Sequence, residues 1–122
     1  MSEAPRSEQP SRNGHSEVLS LGPIAQELLS EARTASADRA ARTITTGTSL
    51  RATLIALVAH AELAEHESPP AATLEVLTGE VRLDAGERHW TLSAGQWLPI
   101  PPFRHSLTAL ADSVVLLTVA LH

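Results

Sequence analysis

The chain has 122 residues, a formal net charge of −5 and 43% hydrophobic residues, with two Trp, one Phe and no Tyr. This length predicts a single domain with a modest aliphatic core, and the absence of Cys excludes disulfides, zinc ribbons and thiol nucleophiles. Because every basic residue is Arg, lysine Schiff-base and P-loop chemistry are excluded, and the acidic balance with few aromatics argues against a nucleic-acid partner.

The N-terminal part divides into a polar tail and a helical segment. Residues 1–16 are rich in Ser, Pro, Glu and Arg, and this composition predicts a disordered tail. Residues 17–37 form the expected helical segment, in which Pro23 suits the first turn and Ile24, Leu28 and Ala32 recur at helical spacing. The helix is predicted over 23–35. With no signal core and no run of about 18 apolar residues, we expect a cytoplasmic protein with no membrane partner.

From Arg39 onward, apolar and polar residues alternate with the period of a β-strand. Turns are predicted at 78–80, 84–86, 94–95 and 111–112, where Gly or Asp interrupts the alternation. The predicted strands cover 39–46, 50–58, 62–68, 73–78, 80–83, 89–92, 97–100, 106–110 and 114–120. Such a series predicts an all-β barrel or sandwich over residues 38–122, with the helix outside the barrel or on a partner subunit. The last strand is apolar on both faces, which predicts a second layer and a homodimer interface.

Two motifs in this region resemble those of the cupin family of small β-barrels. The first cupin motif reads Gly, five residues, His-x-His, three or four residues, Glu, six residues, Gly. When the pattern is anchored on Gly79, His66 stands at the first His and Ser68 at the second. Ala72 then stands at the Glu, and His60 stands at the opening Gly. One metal ligand of three is therefore kept in this motif.

The second cupin motif reads Gly, five residues, Pro-x-Gly, two residues, His. Gly95 and Pro101 match it, Phe103 replaces the second Gly, and His105 follows one residue early. The resemblance covers about residues 40–120. It implies a small single-domain bacterial cupin of the RmlC-like type with a degenerate metal motif, built as a double-stranded β-helix (jelly-roll barrel) with one N-terminal α-helix.

His66 and His105 are the candidate metal ligands, and the sequence identifies no catalytic residue and no organic cofactor. Two neutral imidazoles with waters can hold a divalent metal (Fe, Mn, Ni or Zn), although weakly. The alternative is a pair of histidines hydrogen-bonded inside the barrel. On a regular strand Glu62 and Ala64 would share the face of His66, whereas Glu75 is expected to face outward.

The other candidate residues follow from the same alternation. Trp90 and Trp97 are predicted to lie in the core because their neighbours are apolar. One of Gln96 and Trp97 is expected to face into the barrel, and His89 is expected to be exposed. Arg104, in the loop before the second candidate histidine, is either a contact for an anionic ligand or a solvated charge.

Three functions follow as expectations from the resemblance and the pattern. The first is a protein that binds a small molecule inside the barrel near His66 and His105, with a weakly held divalent metal. The alternative is a metal-dependent cupin oxygenase or isomerase in which both histidines ligate Fe, Mn, Ni or Zn. The third is a structural or regulatory protein that acts as a homodimer through the N-terminal helix and the last strand.

Overall fold

A computed structural model describes residues 16–66 and 71–121 of the chain. Within these residues the chain forms one helix, α1 (Leu21–Thr34), and nine strands. The strands are β1 (Arg39–Thr46), β2 (Leu50–Leu57), β3 (Glu62–His66), β4 (Ala72–Thr78), β5 (Glu80–Ala85), β6 (Arg88–Ser93), β7 (Trp97–Pro99), β8 (His105–Ala109) and β9 (Ser113–Ala120). Apart from Ser16, the predicted tail lies outside the described residues.

The strands pair into two antiparallel sheets. The five-stranded sheet has the order β1-β2-β9-β4-β7, and the four-stranded sheet has the order β3-β8-β5-β6. The last strand, β9, lies between β2 and β4, so the larger sheet is complete only when the end of the chain has paired. The prediction of an all-β jelly roll with one N-terminal α-helix is therefore confirmed.

The main core fills the space between the two sheets. Alternate residues of β4 and β8 are buried, as expected for strands with one face turned toward a core. The buried cluster consists of aliphatic residues from both sheets: Leu57, Leu74, Val76, Val81, Leu83, Leu92, Leu107, Ala109 and Val115.

Helix α1 covers the outer face of the larger sheet over β1, β2 and β9. Its apolar stripe packs with the outward residues of two of these strands in a second buried cluster: Ala25, Leu28, Leu29, Ala32, Leu54, Ala56 and Val114. Consecutive residues of β9 thus enter different clusters, with Val114 under the helix and Val115 between the sheets. The second layer predicted for this strand is therefore α1 of the same chain.

Ion pairs tie the helix to the barrel. Arg42 on β1 contacts Glu27 at 2.8 Å and Glu31 at 3.0 Å, and its hydrogen bond to Glu27 raises the pKa of Arg42 above the ordinary value. Arg33 in the last turn of the helix contacts Asp112 at 3.1 Å. Exposed pairs of this kind add little stability, but they fix the direction in which α1 crosses the sheet.

The fold contradicts the expectations for Asp84, Ala85 and Trp97. Asp84 and Ala85 were predicted in a turn, but both belong to β5, which pairs with β6 as far as Ala85 and Arg88. Trp97 was predicted in the core, but it is 57% exposed. It lies on the short strand β7, which forms the edge of the larger sheet opposite β1 and is not among the strands that α1 covers.

Candidate functional site

His105, the first residue of β8, lies between the sheets and is only 3% exposed. Its burial follows from the alternation of the strand, in which His105, Leu107 and Ala109 are buried while Ser106 and Thr108 are half-buried. A histidine in this position needs hydrogen-bond partners because burial removes it from water. His105 is therefore the central polar residue of the candidate site.

One hydrogen bond of His105 fixes the state of its ring. Nδ1 lies 2.9 Å from the carbonyl oxygen of Phe103 in the preceding loop. A carbonyl oxygen can only accept, so Nδ1 carries the proton, and in the neutral ring Nε2 then carries the lone pair. A backbone carbonyl bonded to one ring nitrogen is also how many metal-binding histidines are oriented.

The backbone of His66 is the cross-strand partner of His105 in the pairing of β3 with β8. The side chain of His66 lies outside the described part of the structure. The pairing is irregular between Leu63, which faces Leu107, and His66. This irregularity corrects the expectation of a regular β3, because Leu63 lines the interior while Glu62 and Ala64 are exposed.

The other positions of the first motif are distributed as follows. His60, at the place of the opening Gly, has φ +77°, a left-handed conformation that favours glycine. Ala72, at the place of the Glu, is buried and faces the interior. Glu75, three residues further on, is half-buried on the opposite face of β4, in line with the expected outward direction. Ser68 lies outside the described residues.

The second motif leads into the loop before His105. Gly95, its first position, has φ +88° and supports a turn, in which Gln96 accepts a hydrogen bond from the Ser93 amide at 2.8 Å. Gln96 and Trp97 are both exposed, so the expectation that one of them faces inward is wrong. Phe103, at the place of the second Gly, is 65% exposed.

A cavity lies beside His105 between the two sheets. Its inner volume is about 50 Å³, and the wider space that opens toward solvent is about 430 Å³. Among the described residues, ten of those that line it are aliphatic and His105 is the only polar one. This lining was not predicted from the sequence, although the inward positions of β4 and β9 are visible in the alternation of these strands.

The strand registers give the shape of this cavity. Along the larger sheet, Val119 pairs with Ala72 and Leu117 pairs with Leu74, and the lining continues to Val115. Four residues of strand correspond to roughly 14 Å. Across the smaller sheet, the lining residues Leu63 and Leu83 both pair with Leu107, in a single row over three strands.

The described residues provide few metal donors. Within residues 16–66 and 71–121, no group of three or more His, Cys, Asp or Glu side chains is placed to hold a metal ion. A tightly held zinc or iron ion usually has three or four protein ligands. His105 lines the cavity, and position 66 is its register partner.

Comparison with known proteins gives structural relatives alone. No family model matches the chain, and no curated protein matches it significantly. A conserved protein of unknown function from Streptococcus pyogenes has a TM-score of 0.71 at 24% identity, over 88% of this chain and 90% of that one. A cupin superfamily protein from Desulfitobacterium hafniense has a TM-score of 0.65 at 13% identity, over 69% and 78%.

A larger enzyme contains the same arrangement of strands. A mutant of salicylate 1,2-dioxygenase from Pseudoaminobacter salicylatoxidans has a TM-score of 0.66 at 16% identity, over 80% of this chain and 33% of that one. Identities this low carry the fold and not the activity.

No helix in the described residues is long and apolar enough to cross a membrane. The described residues of this chain have the cupin fold, with an N-terminal helix packed on the outside of the barrel.

Proposed function

We propose that the chain binds a small molecule in the cavity beside His105. One observation supports this most strongly: a buried histidine lies at the wall of a cavity whose other described lining residues are aliphatic. A concave apolar site with a single oriented polar group is the usual form of a small-molecule site. The resemblance of the His66 and His105 motifs to those of cupins points to the same place.

The cavity lowers the stability of the chain by a modest amount. At about 24 cal/mol per Å³, an inner volume of about 50 Å³ costs roughly 1 kcal/mol. Ala72 lines the cavity and is 8% exposed, and a Leu at this position would fill part of the space without changing the pattern of β4. A cavity retained in this way is better explained by a ligand than by stability.

A divalent metal at His66 and His105 is the second part of the proposal. The His105 ring is oriented by a backbone carbonyl, and His66 is its register partner. Two imidazoles would hold Fe, Mn, Ni or Zn weakly, and such an ion would supply a Lewis acid next to the ligand. The chain's own residues would orient the ligand and exclude water from the cavity.

The alternative is a metal-dependent oxygenase or isomerase. Its support is the fold shared with a salicylate 1,2-dioxygenase. It requires a set of protein ligands that retains the metal through turnover, and Ala72 stands where the cupin motif has a Glu. The described donors therefore favour the binding protein.

A titration of the full chain with a mixture of fragment-sized molecules tests the binding function. We expect at least one fragment to shift the NMR signals of the Leu74 and Leu117 methyl groups in a saturable way. Ala72→Phe should abolish the shifts because the ring would occupy the cavity. Thr73→Val, on the opposite face of the same strand, should preserve them. If no fragment of any class affects these methyl groups, the proposed function is wrong.

Elemental analysis of protein purified without a histidine tag tests the metal. We expect less than one equivalent of a divalent metal, and less still in His105→Ala. His89→Ala is the matched control, because His89 is an exposed histidine on β6. If His105→Ala retains as much metal as the parent and the control, the metal part of the proposal is wrong.

We also propose a homodimer through the uncovered part of the larger sheet. Leu50 and Trp97 are 49% and 57% exposed, and their strands carry them on the outer face of this sheet. Strands β9 and β4 lie between these two positions, so the proposal depends mainly on Trp97, because an exposed edge strand can pair with another chain. Light scattering should show a dimer for the full chain and a monomer for Trp97→Glu. Leu110→Glu, at another exposed apolar position, should remain dimeric, and a monomeric parent chain would contradict the proposal.

A further inference from the structure

We infer that the ligand of the cavity is a compact, uncharged molecule made mostly of hydrocarbon, such as a small alkyl-substituted aromatic. This inference rests on the proposed binding function and names its ligand class. It follows from the chemical groups that the described residues present to the cavity.

The walls of the cavity offer apolar contacts on both sheets. Leu74 and Leu117, a register pair on the larger sheet, lie on one side, and Leu83 and Leu107, a register pair on the smaller sheet, lie on the other. An apolar molecule in this position replaces contacts with water by contacts with branched aliphatic groups.

Polar ligands are disfavoured by the same lining. A sugar carries hydroxyl groups around its whole ring, and each one that is buried without a partner loses its hydrogen bonds to water. Among the described lining residues, His105 alone has a polar side chain. An anionic ligand would need a cationic or multiple N–H partner within the cavity. Arg104, the nearest Arg in the sequence, is exposed and does not line the cavity.

One end of the cavity is formed by residues that flank the loop between β7 and β8. Ile100, before the loop, and His105, after it, both line the cavity. Toward the other end, Val76, Val81 and Ala109 are fully buried in the core and do not line the cavity. The cavity is therefore closed by the core at that end.

Titration of the full chain with toluene, benzoate and D-glucose tests the ligand class. Toluene and benzoate match in size and differ in charge, while glucose presents a ring of hydroxyl groups. We expect toluene to shift the methyl signals of Leu74, Leu107 and Leu117 saturably, with an affinity at least about tenfold higher than that of benzoate or glucose. Nuclear Overhauser effects from the toluene ring to these methyl groups should locate it in the cavity without recourse to a variant.

Variants then separate this inference from the proposed function. Ala72→Phe should remove toluene binding, and Thr73→Val should preserve it. If benzoate or glucose binds in the cavity as tightly as toluene, or if toluene does not bind there, the inferred ligand class is wrong. The proposed function is lost only if the broader fragment mixture also leaves the cavity methyl signals unchanged.

Discussion

His105 Nδ1 and the carbonyl oxygen of Phe103 lie 2.9 Å apart, although the two residues are separated by a single position in the chain. This contact joins the exposed loop before β8 to a histidine that is buried between the sheets. Because the carbonyl accepts, it determines which ring nitrogen holds the proton. The conformation of the loop and the orientation of the His105 ring are therefore linked.

The first prediction concerns this tautomer. Long-range ¹H–¹⁵N spectra should show a proton on Nδ1 of His105, because the carbonyl oxygen of Phe103 can only accept a hydrogen bond. His89, which is exposed on β6, serves as the reference histidine in the same spectra. Protonation of His105 on Nε2 alone would contradict the described hydrogen bond.

The second prediction concerns Gly79, which has φ +87° in the turn between β4 and β5. A Cβ at this position would collide with Ser113 Oγ and with the carbonyl oxygen of Asp112. Gly79→Ala should therefore lower the free energy of unfolding by about 2–5 kcal/mol, as the sum of left-handed backbone strain and overpacking.

Gly86→Ala is the matched control for this change. Gly86 has φ +63°, but a Cβ there would meet no atom within 4 Å. Only backbone strain applies, so the expected loss is about 1–2 kcal/mol. Urea unfolding of both variants provides the measurement. Equal losses would show that the contact with Ser113 does not restrict this turn.

The third prediction concerns Asp112, which accepts a hydrogen bond from the Ala59 amide at 2.9 Å and pairs with Arg33. The Ala59 bond, followed by the Arg33 side chain, lowers the pKa of Asp112 below its ordinary value of 3.8. The charged carboxylate therefore stabilises the fold above pH 3.8, and this stabilisation is lost as the pH falls through the lower, folded-state pKa.

Asp112→Asn should remove that pH dependence. The parent chain should be more stable than the variant at neutral pH, and the difference should shrink as the pH falls below 3.8. Asp84→Asn is the control, since Asp84 also forms an exposed ion pair, with Arg82 at 3.0 Å. Urea unfolding across this pH range provides the test, and a difference that stays constant with pH would contradict the assignment to Asp112.

The fourth prediction concerns the attachment of α1. Leu28 is fully buried in the cluster beneath the helix, so Leu28→Ala should cost about 2–5 kcal/mol. Gln26→Ala, on the exposed side of the same helix, should change the stability by less than about 0.5 kcal/mol. If both variants have the same free energy of unfolding in a single transition, the helix contributes little to the stability of the barrel.

The positions of the strands along the chain were well predicted from sequence because apolar alternation and turn residues are local signals. Helix α1 and strand β1 begin within two residues of their predicted starts. Asp84 was assigned to a turn on its local preference. In the structure, β5 pairs on both sides through Asp84, with His89 and with Ser106, and this pairing outweighs that preference.

Residues whose role depends on distant neighbours could not be predicted in the same way. Alternation places Trp97 and Leu98 on opposite faces of the edge strand β7. It does not indicate which of these faces is covered by another part of the chain. The irregularity between Leu63 and His66 is likewise invisible in a period-two pattern, although it brings Leu63 into the cavity and His66 opposite His105. The cavity is assembled from side chains of both sheets and is not encoded in any one segment.

The cavity beside His105 is the feature on which the proposed function depends, and xenon binding to crystals of the full chain tests it most directly. Apolar cavities bind xenon, whereas filled cores do not. We predict a xenon site between Leu74 and Leu107 in the parent chain, and none in Ala72→Phe. A parent crystal without xenon between the sheets, under pressure that loads known apolar cavities, would contradict the existence of an accessible binding cavity.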